Sequence, residues 1–522
     1  MATPFYLTTA IFYPTAAPPP LHSLFEVIAS DALARYRRLL GDDVRFQTGT
    51  DEHSVQIERV AREQAVEPRG MVDGWVATWR SAFDRFGVSY DRFIRTTDPD
   101  HVAAATEMVR RARAAGDIYK GTYAGWYCPG DNEFKTDQQI VDGRCPDHPT
   151  LDLQWLEEEN YFFALSTYQD RLEALYRDNP GFCEPEHFRN EVLGWLRDGL
   201  QDFSVSRSGS TWGIPFPGDA EHRIYVWFDA LTNYLTGAGF PAKSALFERF
   251  WPADVHVIGK NITRFHCLYW PVMLISAGIE LPRLVFAHGF MLMKGSKMSK
   301  TTGNVIDADE AVALMGIDGV RYAVLREIPF DRDGDITLEA MVRRYNADLA
   351  NDLGNLVNRT LSMAGRYLEG LIAVPESGEL ADGELRAAAG ESVFDYHAAM
   401  RELQFDQALA AINGLVRAAN GYAESQAPWV LHRDGNAERL GQVLGNLGEA
   451  CRILGHLVAP FMPSSASALH EQLGTPRPYD ERCAGGPGLD ALVEWGSGPT
   501  AWHAGTASPL FPRIEPPEAV RP

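Results

Sequence analysis

The chain has 522 residues, 45% hydrophobic and 23% charged, with a net charge of −22 and six cysteines. That length expects two to four domains with sizeable cores, and the charge excludes a protein that coats nucleic acid, although local basic patches stay compatible with binding RNA. No stretch approaches the ~20 apolar residues of a membrane helix, the N-terminus has no basic, signal-like start, and so few cysteines fit a reduced cytoplasmic setting better than a disulfide framework.

In chain order, residues 4–13 read as a buried strand that enters a Pro/Ala loop over 14–20. A helix follows from about Leu21 to Leu40, with Leu24, Val27, Ile28, Leu33 and Leu40 inward, and then a second strand over 44–50. Strand–helix–strand with Tyr13, Asp51 and His53 gathered at strand ends opens a doubly wound α/β sheet, where ligands bind beyond the carboxyl ends of strands. The first half of this Rossmann-like domain is expected over 1–115. From 116 to 224 short aromatic segments break the rhythm, as an inserted domain would. The α/β pattern resumes over 225–300, a mixed segment spans 301–345, and apolar periodicity from Leu349 through Leu361, Leu403–Leu415 and Leu440–Leu457 predicts an α-helical bundle with an extended tail over 346–522.

The chemistry is most legible between Lys294 and Asn304. Only seven lysines occur in the chain, and Lys260, Lys294, Lys297 and Lys300 are four of them. A Gly-punctuated loop after an apolar strand, supplied with flexible ammonium groups, suits phosphates whose charge shifts during reaction.

Lys297-Met-Ser-Lys-Thr301 resembles the KMSKS signature of class I aminoacyl-tRNA synthetases. Separated motifs narrow the resemblance to the methionyl-tRNA synthetase family: Thr48-Gly-Thr-Asp-Glu-His53, Glu158-Glu-Asn-Tyr-Phe-Phe163, Trp212–Asp219, Tyr225-Val-Trp-Phe-Asp-Ala-Leu-Thr-Asn-Tyr234, His256-Val-Ile-Gly-Lys260, Leu325-Arg-Glu-Ile-Pro-Phe330, Ala427-Pro-Trp429 and Pro509-Leu-Phe-Pro-Arg-Ile-Glu515. Together they cover nearly the whole chain. The resemblance implies activation of L-methionine with ATP and Mg²⁺, then transfer to the 3′ end of tRNA(Met). A paralogue with weakened ATP chemistry that binds tRNA in a regulatory role, or a resistance or biosynthetic copy, is the alternative. The absence of a C-terminal tRNA-binding module after the bundle favours a monomer.

Carried over residue by residue, the resemblance assigns a thioether slot to Ile11, Tyr13, Trp227, Ala230, Tyr234, Ile262 and His266. Asp51 is assigned to the α-ammonium, and Arg207 to orienting that carboxylate. A polarizable sulfur favours such an aromatic lining. His22, Gly259, Lys260, Lys297 and Lys300 fall to ATP. Asn355, Arg359 and Trp429 fall to the anticodon, by stacking and base-edge hydrogen bonds. Cys128, Asp131, Cys145 and His148 have the spacing of a structural zinc knuckle, with aspartate where zinc-bearing relatives have cysteine; other relatives have lost the metal. The chain departs from the family at its first nucleotide signature. Anchored on the strand, Pro19-Pro-Leu-His22 replaces His-Ile-Gly-His; anchored on the helix, Pro20-Leu-His-Ser23 does. Ser54 and Asn261 are smaller departures on the same side.

Overall fold

The computed structural model describes residues 2–129, 133–135, 140–146, 148–149, 151–242, 244–298, 305–375, 378–476 and 488–515. Its centre is a six-stranded sheet. Strands β1 (Pro4–Phe12), β2 (Asp43–Thr50) and β3 (Arg92–Arg95) form one half, and Val255–Gly259, Val285–His288 and Cys183–Glu184 the other. All the pairings are parallel, and β1 lies beside Val255–Gly259 in the middle. The strand order runs outward in both directions from that central pair. In an open parallel sheet, the crevice at such a reversal is where ligands bind.

Helix α1 (Leu21–Leu39) joins β1 to β2 and is buried almost all round, from Leu21 and Leu24 through Ala32 and Tyr36. Glu26, Asp31 and Arg35 are buried with its apolar residues, and charged groups persist in a core only when they are paired. The sheet separates two hydrophobic cores. One runs from α1 without a break into the C-terminal helices, and the other lies under Phe163, Phe203, Phe228 and Trp270.

The segment 116–224 holds a four-stranded antiparallel sheet, built on the long hairpin of Ile118–Cys128 with Gln154–Phe163, and a three-stranded sheet that includes Ser206–Ser208 and Asp219–Ile224. The same segment supplies the edge strand Cys183–Glu184 of the central sheet, so its chain leaves the main body and returns within those limits. Helices begin before Asn346, with Ala308–Glu327 and Leu338–Arg344. Gly354–Tyr367, Leu380–Arg401, Phe405–Gln426 and Ala437–Val458 complete the main bundle. The tail returns as a strand, Ala501–His503, against Leu371–Ala373. Among the described residues no helix is long and apolar enough to cross a membrane.

One buried ion pair fixes α1 to the bundle. Arg321 on Ala308–Glu327 is fully buried and donates to Asp31 Oδ2 of α1 at 2.7 Å. It also donates to the carbonyls of Phe461 at 2.8 Å, Pro460 at 3.0 Å and Phe86 at 3.2 Å. Arg35 donates to the same carboxylate at 2.7 Å, and the Ser89 amide and hydroxyl at 2.6 Å each. Burial alone would raise the Asp31 pKa, but Arg35 and Arg321 outweigh it and hold the group far below the usual carboxylate range. The stabilising charge is therefore present at neutral pH and is lost only in strong acid. Arg321→Ala leaves Asp31 with Arg35 and Ser89 only and takes the donor from three backbone carbonyls, and is expected to cost about 3–5 kcal/mol in urea unfolding. A loss under about 1 kcal/mol would contradict this role.

Candidate active site

The carboxyl ends of β1 and Val255–Gly259 open onto a cavity of about 380 Å³. Its wall includes Ile11, Tyr13, Asp51, Trp227, Ala230, Tyr234, Ile262 and His266, eight residues drawn from four separate stretches of the chain. His22, Ser23 and Glu26 face it from α1, which opens at Leu21 directly after Pro20, and Gly259 and Asn261 face it from the central strand's end. The amides of Ser23 and Leu24 are already turned back on the Pro20 carbonyl, at 2.9 and 3.2 Å.

The apolar side is built from locked rings. Trp227 lies flat on Phe265, with centroids 3.6 Å apart and planes 7° apart. Phe265 and His266 belong to a single π-helical stretch, Phe265–Tyr269, a local widening common at functional sites. Tyr234 is 1% exposed, stacks on His256 at 4.1 Å and donates its hydroxyl to His266 Nε2 at 2.6 Å. The other ring nitrogen of His266 donates to the Ile262 carbonyl at 2.9 Å. Burial pushes the His266 pKa down to about 4, so the imidazole is neutral and can take both roles. His256, sealed beneath, is likewise pushed well down by burial and by His266 beside it.

The polar side centres on Asp51, only 4% exposed. Burial raises its pKa well above the usual carboxylate range, and the neighbouring Asp229 adds to this; the His53 amide and the Tyr13 hydroxyl act against it. Asp51 Oδ1 is buried without a hydrogen-bond partner among the described residues, and so is Trp227 Nε1. Asp229 itself is bracketed by His53 Nδ1 at 2.7 Å and His101 Nε2 at 2.6 Å. Burial would raise its pKa, and the two histidines overturn that and lower it.

Other features of the wall are not visible in sequence patterning. Glu26 accepts from the Ala10 amide at 3.0 Å and faces His288 Nε2 at 2.9 Å, a contact between residues 262 apart in the chain. Gly289 follows the strand because a Cβ there would lie 2.0 Å from the Arg332 backbone. Met291–Met293 and Ser296–Lys297 form a hairpin whose turn, Lys294-Gly295, has both φ angles positive, 53° and 72°. Met298, 4% exposed, is inserted into the cavity wall just beyond it.

Several expected residues stand apart from the cavity. Lys260 lies outside its wall and is paired with Asp333 Oδ2 at 2.7 Å, over the Phe290 ring at 4.7 Å. Arg207 packs over Tyr225 at 4.3 Å, on the strand next to Asp219–Ile224. The Lys297 side chain and all of Lys300 and Asp131 lie outside the described residues. In the long hairpin and the turn beyond it, the ligand atoms of Cys128, Cys145 and His148 lie within 4.8 Å of one another. Both cysteines are buried, and two thiols with one imidazole are a donor set that fits tetrahedral zinc with one ligand to add. Far off in the bundle, Arg359 stands over the Trp429 ring at 5.6 Å, and Asn355 is exposed on the same helix. Trp429 is 40% exposed, on the short helix Pro428–Arg433.

Comparison with known proteins agrees along the chain. The model of class I tRNA synthetases (M) matches residues 5–154 and 152–361, and that of the anticodon-binding domain of methionyl tRNA ligase matches 374–483. A methionine–tRNA ligase of Caldanaerobacter subterraneus subsp. tengcongensis is 45% identical over 91% of this chain and 74% of its own. That of Mycobacterium tuberculosis strain H37Rv is 44% identical over 99% of both. A solved structure of Mycobacterium tuberculosis methionyl-tRNA synthetase in complex with methionyl-adenylate superposes with a TM-score of 0.92 at 43% identity, covering 98% of this chain and 100% of that one. A shared sequence and a shared fold over nearly the full length lead to one conclusion: the chain belongs to the methionyl-tRNA synthetase family of class I aminoacyl-tRNA synthetases.

Proposed function

We infer that the protein is a methionine–tRNA ligase, which activates L-methionine with ATP and passes it to the 3′ end of tRNA(Met). The observation that carries this is a pair of orphaned buried atoms on one cavity, the Asp51 Oδ1 acceptor and the Trp227 Nε1 donor, beside stacked aromatic walls. A buried polar atom without a partner is costly, and a small zwitterion with an apolar side chain relieves both at once. Asp51 takes the ammonium, and the slot between Trp227, Tyr234 and His266 takes the thioether.

The substrate carboxylate then attacks the α-phosphorus of ATP, forming the adenylate and releasing pyrophosphate. The terminal ribose hydroxyl of the tRNA attacks the adenylate carbonyl, forming the ester and releasing AMP. Positioning and charge suffice for both steps, with no protein nucleophile. His22 and Ser23 reach the nucleotide from the first turn of α1. The resemblance adds Lys297 and Lys300 at the pyrophosphate, with Gly259 at the nucleotide. Lys260, paired with Asp333, joins by exchanging partners. Mg²⁺ bound with ATP would supply further positive charge at the phosphates. Because Pro18–Pro20 offer no amide hydrogens, this loop cannot donate to phosphate as a glycine-rich one does. The resemblance assigns Arg207 to orienting Asp51; it packs on Tyr225, whose carbonyl accepts from the amide of Asp229, the carboxylate beside Asp51. Cys128, Asp131, Cys145 and His148 would hold a structural zinc that ties the insert's hairpin together. Asn355, Arg359 and Trp429 read the anticodon. A monomer located in the cytoplasm accords with this reading.

Pyrophosphate exchange with the purified protein tests it: exchange is expected with methionine and ATP, and none with leucine. Asp51→Asn is expected to raise the methionine KM roughly ten- to hundredfold, the worth of one charge-assisted hydrogen bond, with the KM for ATP little changed. An unchanged methionine KM would remove Asp51 from the site. For the insert, about one zinc per chain is expected by elemental analysis, released by Cys145→Ala. Metal-free, folded wild type would dismiss the knuckle.

A further inference from the structure

The anticodon face carries a second stacked contact that the family resemblance does not assign. Arg359 over Trp429 bridges the helices Gly354–Tyr367 and Pro428–Arg433. The same two helices are bridged again by Tyr367 and His432, whose rings lie 4.1 Å apart with planes only 17° apart. Tyr367 is half-buried and serves as the base of the stack, while His432 is exposed. An exposed ring held flat by a neighbour keeps one π-face for a partner and loses little freedom on taking it. Along Gly354–Tyr367 the two contacts are eight residues apart, a rise of ~12 Å. Along Pro428–Arg433, Trp429 and His432 are three residues apart, a rise of ~4.5 Å, so the two contacts are separated by about one to four stacked nucleotides. Arg366 and Arg433 are exposed beside the second contact. On a chain with a net charge of −22, cations placed here favour a phosphate backbone running between the two contacts. Of the acidic groups nearby, Asp434 pairs with Arg433 at 3.0 Å and Glu424 with Arg359 at 3.6 Å.

We propose that Tyr367 and His432 form a second stacking platform, which takes an unpaired base of the tRNA loop flanking those met at Arg359 and Trp429. The platform rests on the tRNA-ligase reading. It adds binding without base-edge selection, because every base has a π-face.

The test uses the full-length chain and an unmodified tRNA(Met) transcript. It compares His432→Ala, His432→Phe and Trp429→Ala in aminoacylation and in methionine-dependent pyrophosphate exchange. His432→Ala is expected to lower kcat/KM for tRNA roughly five- to hundredfold, in the KM part, with exchange unchanged, and His432→Phe is expected to restore most of the loss. If Trp429→Ala impairs charging and His432→Ala does not, the second platform is refuted and the anticodon reading stands. If neither impairs charging, the anticodon reading itself falls. If His432→Phe is as weak as His432→Ala, the ring stack is not what His432 contributes, and the proposal fails.

Discussion

The Arg321–Asp31 pair is the constraint on which the rest of the molecule hangs. It lies fully buried, where a guanidinium persists only if its donors are met, and three backbone carbonyls from two regions meet them. Through Asp31 it fixes the rotation and depth of α1. The same helix, five to nine residues earlier, presents His22, Ser23 and Glu26 to the cavity. Through the carbonyls of Pro460 and Phe461 it fixes the bundle that carries Trp429. One core runs continuously from α1 into the bundle, so the cavity and the RNA-facing helices share a rigid frame.

Within that frame the cavity is electrostatically unfinished. Asp51 and Asp229 are two buried carboxylates near one another, treated in opposite ways. Asp229 has a histidine on each side and stays ionised; Asp51 faces the cavity and is pushed toward its neutral form. A cation that enters the cavity reverses that push. The ring system opposite is neutral because burial keeps His266 and His256 uncharged, so no positive charge competes for an ammonium group. On the proposed function, selectivity for a thioether falls to the shape and polarizability of Trp227, Tyr234 and their stacked supports.

Much of this could be read from sequence where the signal is local. The opening strand, helix and strand are legible to within a residue or so, because Leu24, Val27 and Ile28 repeat at helical spacing between two short segments rich in aromatic and β-branched residues. The eight cavity residues drawn from the family pattern do share one wall. What could not be read depends on pairing across the fold. Glu26 with His288, and Asp31 with Arg321, are joined by contacts 262 and 290 residues apart. Nothing local in the sequence announces that Lys260 pairs with Asp333, 73 residues away. The strand Cys183–Glu184 is too short for periodicity, and it takes its place from the sheet edge that it completes.

The claim at the centre is that a desolvated Asp51 carboxylate anchors the amino acid by its ammonium group, and proton linkage measures this most directly. Calorimetric titration of methionine into the protein, repeated in buffers of different ionisation heat and at stepwise lower pH, reads both affinity and protons released. Because burial raises the Asp51 pKa and the bound ammonium lowers it again, binding is expected to release protons as the pH falls toward the raised value, and the affinity is expected to weaken there. Asp51→Asn should abolish that release. Methionine binding with no proton release and an affinity indifferent to pH in the wild type would contradict the account.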